Sequence, residues 1–148
     1  MNKISRKEED MTGIAQELLA NISKINSKMA CVVGLYGDLG AGKTTLTKAV
    51  GKILGIKRKL SSPTFVIIKR YKINNKKHKN LFHLDAYRLK NEKELINLGW
   101  EVIISNPENL IFIEWPENVV KAMPKSHHKV HIKHTKTGYR NLKVTLSK

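Results

Sequence analysis

Gly37-Asp38-Leu39-Gly40-Ala41-Gly42-Lys43-Thr44 matches the Walker A pattern without a gap. Glycines let the backbone turn tightly and aim its N–H groups at phosphate oxygens. A helix opening at Lys43 would add its positive end to the same anion site. Lys43 reaches the β- and γ-phosphates, and the Thr44 hydroxyl suits Mg²⁺, a hard cation that prefers oxygen. At average residue usage, the four fixed positions match by chance in under roughly 1% of chains this short.

The flanks agree with the motif. Ala30-Cys31-Val32-Val33-Gly34-Leu35-Tyr36 is a short apolar run that reads as a buried strand. Thr44 to Leu54 has helical periodicity, with Gly55 at its C-terminal stop. Upstream, Met11, Ile14, Leu18, Leu19, Ile22 and Ile25 mark one face of a helix within residues 8–26. Further strands are expected over Thr64–Tyr71, Asn80–Leu84, Asn109–Glu114, Lys129–His134 and Leu142–Leu146, and a helical or turn-rich stretch broken at Gly99 over Glu92–Ser105. The polar run Asn74–Asn80 reads as a solvated turn. The expected class is α/β: a three-layer P-loop NTPase-like fold with a mixed, partly antiparallel central sheet. Antiparallel hairpins are expected at one side of that sheet.

Phosphoryl transfer needs a second magnesium anchor and a group that orients water. Leu110-Ile111-Phe112-Ile113-Glu114 places an acid after four apolar residues, the better Walker B-like strand. Leu81-Phe82-His83-Leu84-Asp85 ends the same way but is interrupted by His83. Glu114 is the choice for the Mg²⁺ shell, direct or through water, with Thr44, and Asp85 for ordering water or the γ-phosphate side. His83 shares a strand face with Asp85 and reads as a hydrogen-bonding partner rather than a ligand. Arg88 suits either transition-state charge or an ion pair with Asp85 or Glu92, and Trp115 either shields the site or docks a partner. Ser61-Ser62-Pro63-Thr64-Phe65 reads as a γ-phosphate-sensing loop or as a proline turn entering a strand.

Length and composition narrow the rest. The 148 residues suit one compact domain, residues 1–148. A hydrophobic content of 41% supports a real core. The 28 lysines and arginines outnumber 12 acids, giving +16, a balance that favours anionic partners. The excess is lysine beside abundant asparagine and isoleucine, which an A/T-rich genome would also produce. No apolar stretch is long enough to span a membrane. The polar N-terminus lacks a signal core, and Cys31 is the single cysteine, so the chain reads as cytosolic and reduced. His127, His128, His131 and His134 suggest zinc only weakly, because no cysteine or acid joins them.

Four signatures stand in order: Asp38-Leu39-Gly40-Ala41-Gly42-Lys43-Thr44-Thr45-Leu46, Ser62-Pro63-Thr64-Phe65, His83-Leu84-Asp85-Ala86-Tyr87-Arg88-Leu89 and Ile113-Glu114-Trp115-Pro116-Glu117. Together they resemble the TsaE (YjeE) family, the ATPase of bacterial tRNA threonylcarbamoyladenosine synthesis, from about residue 8 to the C-terminus. The resemblance implies ATP and Mg²⁺ as cofactors. It implies as partner a heterodimer of two paralogous proteins of the TsaB and TsaD type, one of which modifies the base. Contact with tRNA, direct or through that heterodimer, stays open. By the same likeness Asp38, Leu39, Gly40, Ala41, Gly42, Lys43 and Thr44 wrap the phosphates, with Thr45 beside them. Thr44 and Glu114 hold the metal, and Lys43, Asp85 and Glu114 are the catalytic set. Thr12 falls where the family meets nucleotide near its N-terminus, and Arg140 near the matching C-terminal strand. Thr137-Gly138-Tyr139-Arg140 carries one residue more between glycine and arginine than the family's tighter pair. Two other classes compete. A small-molecule kinase would need an arginine-bearing lid, and five scattered arginines speak against it. A non-enzymatic RNA-binding protein would ignore ATP and bind in a steeply salt-dependent way.

Overall fold

A computed structural model describes residues 1–58, 60 and 67–147. The chain runs β1 (Asn2–Ser5), α1 (Asp10–Ser23), β2 (Cys31–Tyr36), α2 (Lys43–Ile53), β3 (Ile68–Lys72) and β4 (Asn80–Asp85). It continues through α3 (Glu92–Ile96), α4 (Trp100–Ser105), β5 (Asn109–Glu114), a 3-10 helix (Pro116–Ala122), β6 (His128–His134) and β7 (Arg140–Thr145). The seven strands form one sheet in the order β1-β7-β6-β2-β5-β4-β3. The four inner strands β6, β2, β5 and β4 are parallel.

The expected mixed sheet is present, with one correction. Antiparallel pairing closes both edges rather than one: β3 on β4 at one side, β6 with β7 and β7 with β1 at the other. The strand over Asn2–Ser5 was not anticipated. It has one aliphatic residue, and only its pairing with β7 makes it a strand. The expected loop Ser61–Phe65, the signature Ser62–Phe65 and the start of the Thr64–Tyr71 strand lie outside the described residues.

Strands β4 and β5 are buried along their whole length, as inner parallel strands covered on both faces must be. Alternation divides their side chains between two cores. Leu81, Leu110, Phe112, Val33 and Leu35 pack under α1 and α2 with Met11, Leu18, Leu46 and Val50. Phe82, Leu84, Ile111, Ile113 and Val32 pack with Leu95, Trp100 and Val119 from α3, α4 and the 3-10 helix. Three layers result, as expected. Gly99 breaks the helical stretch as predicted, preceding α4 with φ 90°. Among the described residues no helix is long and apolar enough to cross a membrane.

Candidate nucleotide site

The phosphate loop leaves β2 at Gly37 and enters α2 at Lys43. Two glycines are required there. A Cβ on Gly37 would come within 2.5 Å of the Ile132 carbonyl oxygen of β6, so the loop fits only with hydrogen at that position. Gly42 precedes the helix at φ 116° and ψ 13°, a conformation that disfavours side chains, and a Cβ there would press on Arg140 and Met11. The first N–H groups of α2 have no carbonyl partner within their own helix and are available to an anion. Asp38, Leu39 and Gly40 are exposed, whereas Ala41, Gly42 and Lys43 are buried.

Parallel register brings the two acids together. Asp85 of β4 lies opposite Glu114 of β5. Because β-strand side chains alternate, His83, Asp85, Phe112 and Glu114 point to the face that carries α1 and α2. The Thr44 hydroxyl donates to the Glu114 carboxylate, at 3.0 Å to Oε2 and 3.3 Å to Oε1. His83 Nε2 donates to the same Oε2 at 2.6 Å, so His83 is a hydrogen-bonding partner, as its position suggests. His83 is wholly buried, and its Nδ1 is the one buried side-chain nitrogen or oxygen without a partner among the described residues. A carboxylate beside a threonine hydroxyl supplies the all-oxygen set that Mg²⁺ takes, so the residues fit the metal.

Lys43 donates to the Gly37 carbonyl, and its Nζ lies 3.8 Å from the centre of the Trp115 ring. Burial lowers the Lys43 pKa, while Glu114, Glu117, Asp85 and Asp38 oppose that shift. Burial raises the Asp85 pKa, and the Tyr87 N–H, which donates to Oδ1 at 2.9 Å, pulls it back. Trp115 is the one non-glycine residue with positive φ among those described, at 60°, and its ring also meets Tyr87 at 5.1 Å. Asn118 Nδ2 donates to the Ala86 and Tyr87 carbonyls at 3.0 and 3.2 Å, stitching the 3-10 helix to the loop after β4. The β4 and β5 ends therefore form one braced rim.

Of the residues expected from sequence, Lys43, Thr44 and Glu114 converge, with Asp85 near enough to Lys43 and Glu114 for charge coupling. Arg140 lies against Gly42 despite the longer Gly-Tyr-Arg spacing. Thr12 and Thr45 line a separate small cavity of about 250 Å³ beside α1 and α2. His134 was not anticipated here: its Nε2 donates to the Gly40 carbonyl at 2.6 Å. Its pairing with Arg140 across β6 and β7 places both residues on the loop. No motif signals this contact, because it depends on which strand lies beside β2. No group of three or more metal-ligating side chains occurs among the described residues. The four late histidines do not converge on one point: His127 meets Tyr36 and Pro124, His128 meets Ser147, His131 stacks on the Tyr36 ring and His134 meets Gly40.

Comparison with known proteins agrees with this arrangement. The family model described as "Threonylcarbamoyl adenosine biosynthesis protein TsaE" matches residues 5–142. The Bacillus subtilis tRNA threonylcarbamoyladenosine biosynthesis protein TsaE is 35% identical over 127 residues, 86% of this chain and 77% of the relative. The Rickettsia bellii protein of the same name is 34% identical over 131 residues, 88% of this chain and 84% of the relative. For the Haemophilus influenzae protein of that name the match is 35% over 103 residues, 70% of this chain and 63% of the relative, so it spans less than two thirds of that relative. Among solved structures, the crystal structure of Bacillus subtilis YdiB aligns with a TM-score of 0.77 and 27% identity, covering all of this chain and 86% of that one. With the phosphate loop, the two strand-end acids and the family match in agreement, the chain belongs to the TsaE family of tRNA threonylcarbamoyladenosine biosynthesis proteins.

Proposed function

We propose that this protein is a magnesium-dependent ATPase that drives a partner heterodimer of the TsaB and TsaD type through repeated cycles of tRNA modification in the cytoplasm, without itself modifying the base. The observation that carries this reading is the Thr44–Glu114 hydrogen bond at the mouth of a loop whose lysine is buried beside it.

The geometry supports the following roles. The α2 N-terminus and residues 38–44 bind the triphosphate, and Lys43 neutralises its β- and γ-oxygens. Thr44 and Glu114 would hold Mg²⁺, which supplies charge neutralisation along the phosphates when bound. His83 is a positioning residue: its bond to Oε2 fixes the carboxylate that Thr44 also meets. Asp85 orients the attacking water. That water's oxygen forms a bond to the γ-phosphorus as the bond to the β–γ bridging oxygen breaks. ADP and phosphate leave, and the water proton is released with the phosphate. Trp115 packs on Lys43 and limits solvent at that side.

Calorimetry with Mg-ATP should show binding for the wild type. Lys43→Ala should abolish turnover, and Glu114→Ala should keep part of the nucleotide affinity while losing magnesium-stimulated hydrolysis. Hydrolysis by Glu114→Ala at the wild-type rate refutes the metal assignment. Screening nucleosides and small alcohols for phosphorylation separates the ATPase from a kinase. Pull-down from native extract with and without ATP should recover the two paralogous partners.

A further inference from the structure

The sheet's second face is only partly covered. The α3, α4 and 3-10 helix core lies over β2, β5 and β4. Beyond β2, alternate residues of β6, β7 and β1 remain open: His131, Lys133, Asn141, Lys143, Thr145, Asn2 and Ile4 are exposed, and Lys129 is half-buried. They line or border a groove of about 940 Å³ that ends at Gly37 and Asp38 of the phosphate loop.

Register turns this face into a grid. One row crosses four strands, Tyr36–His131–Lys143–Asn2. Lys129 opposite Thr145 lies in the next row on one side, and Lys133 opposite Asn141 on the other. Lys129 and Lys133 stand about 13 Å apart along β6, with Lys143 one strand, or about 5 Å, to the side. The Tyr36 and His131 rings stack at 4.6 Å and 14°. His127 Nδ1 donates to the Pro124 carbonyl, leaving Nε2 to accept from the Tyr36 hydroxyl at 3.0 Å, so the stacked pair is braced from below. Asp38 and Glu117 are the two acids among the described lining residues, against Lys3, Lys133 and Lys143. Residues 118–148 contain no acid at all.

Two features separate the possible partners. Protein interfaces favour aromatic, methionine and arginine side chains and are poor in lysine. This face has lysine, asparagine, threonine and histidine, with Ile4 its one exposed large aliphatic. Lysines at phosphate-like separations, amide and hydroxyl groups between them and a flat ring stack are the elements that hold an RNA strand. We infer that the open face of β6, β7 and β1 binds the phosphodiester backbone of RNA, with Lys129, Lys133 and Lys143 on phosphates. This rests on the family's place in tRNA modification and not on the proposed ATPase activity.

The test is fluorescence anisotropy with a labelled unmodified tRNA transcript and the full chain, without nucleotide, from 50 to 200 mM salt. Lys133→Glu with Lys143→Glu should weaken binding at least about tenfold. The milder pair Lys133→Gln with Lys143→Gln should cut the salt slope by about 1.5 to 2, close to one per lost phosphate contact. Lys24→Glu with Lys28→Glu makes the same charge change on exposed residues after α1 and should cost less than about threefold, with the wild-type slope. Equal losses at both places overturn the inference, because whole-molecule charge then explains binding. It is also overturned if the wild type fails to bind at 100 mM salt. RNA affinity that survives in the face variants, while self-association or partner capture is lost, overturns it in favour of a protein interface. A circular dichroism melt of each variant confirms folding, and the glutamine pair keeps the test decisive if the glutamate pair unfolds.

Discussion

Burial pushes the Asp85 carboxyl above the ordinary aspartate value of 3.8, against the pull of the Tyr87 N–H. An acid whose folded pKa is raised is penalised once the unfolded chain ionises. The penalty therefore grows as pH rises through 3.8 and is complete above the folded value. Asp85→Asn keeps the acceptor for Tyr87 and removes that penalty. It should raise the melting temperature at pH 7, with a gain that shrinks toward pH 4, while ATP turnover falls. Normal turnover by Asp85→Asn would remove the residue from the catalytic set. A site acid that costs stability is the expected trade where charge is held out of water for a reaction. The acid itself was legible in sequence, because an apolar run ending in a carboxylate reads as a strand end. Thr44 beside Glu114 and a hydrogen-bonding His83 were legible as well, but that His83 bonds Glu114 across the strand pair emerges only when β4 and β5 pair in register.

At the scale of elements, the β6–β7 hairpin grips the phosphate loop. The Ile132 carbonyl abuts Gly37, His134 bonds Gly40, and Arg140 covers Gly42. Arg140→Ala removes a cation from the loop without opening a core. Mg-ATP affinity should fall about tenfold, ~1.4 kcal/mol, the worth of one hydrogen bond to a charged group. The melting temperature should change little, and unchanged calorimetric affinity would exclude Arg140 from the nucleotide site. Helices α1 and α2 and strands β2 and β5 were legible because their apolar periods are strong and local. Observed α1 buries Met11, Ile14, Leu18 and Ile22 of the predicted face, although Ile25 falls beyond its end. Strand β1 was illegible because Asn-Lys-Ile-Ser has no pattern of its own and is ordered by β7. The 3-10 helix Pro116–Ala122 escaped for a similar reason: its burial is confined to Pro116 and Val119, and Asn118 holds it through bonds to a distant loop.

Across the whole molecule, the parallel strands separate two cores, and β5 contributes to both. Phe112 is fully buried on the α1–α2 side, between Val33 of β2 and His83 of β4. Phe112→Ala should cost about 3–5 kcal/mol, a large share of the roughly 5–15 kcal/mol that a domain holds. Urea unfolding should show a lowered midpoint with an unchanged slope; a loss under about 1 kcal/mol would mean that the cavity collapses or fills. The two tryptophans occupy very different surroundings. Trp100 is 2% exposed, with its N–H donating to the Ala122 carbonyl at 3.0 Å. Trp115 stands over the Lys43 ammonium at the mouth of the phosphate loop. A change in the position of that cation alters the electric field at one indole and leaves the other in constant surroundings. The unlabelled chain thus carries an intrinsic emission probe of loop occupancy, with a steady internal reference beside it.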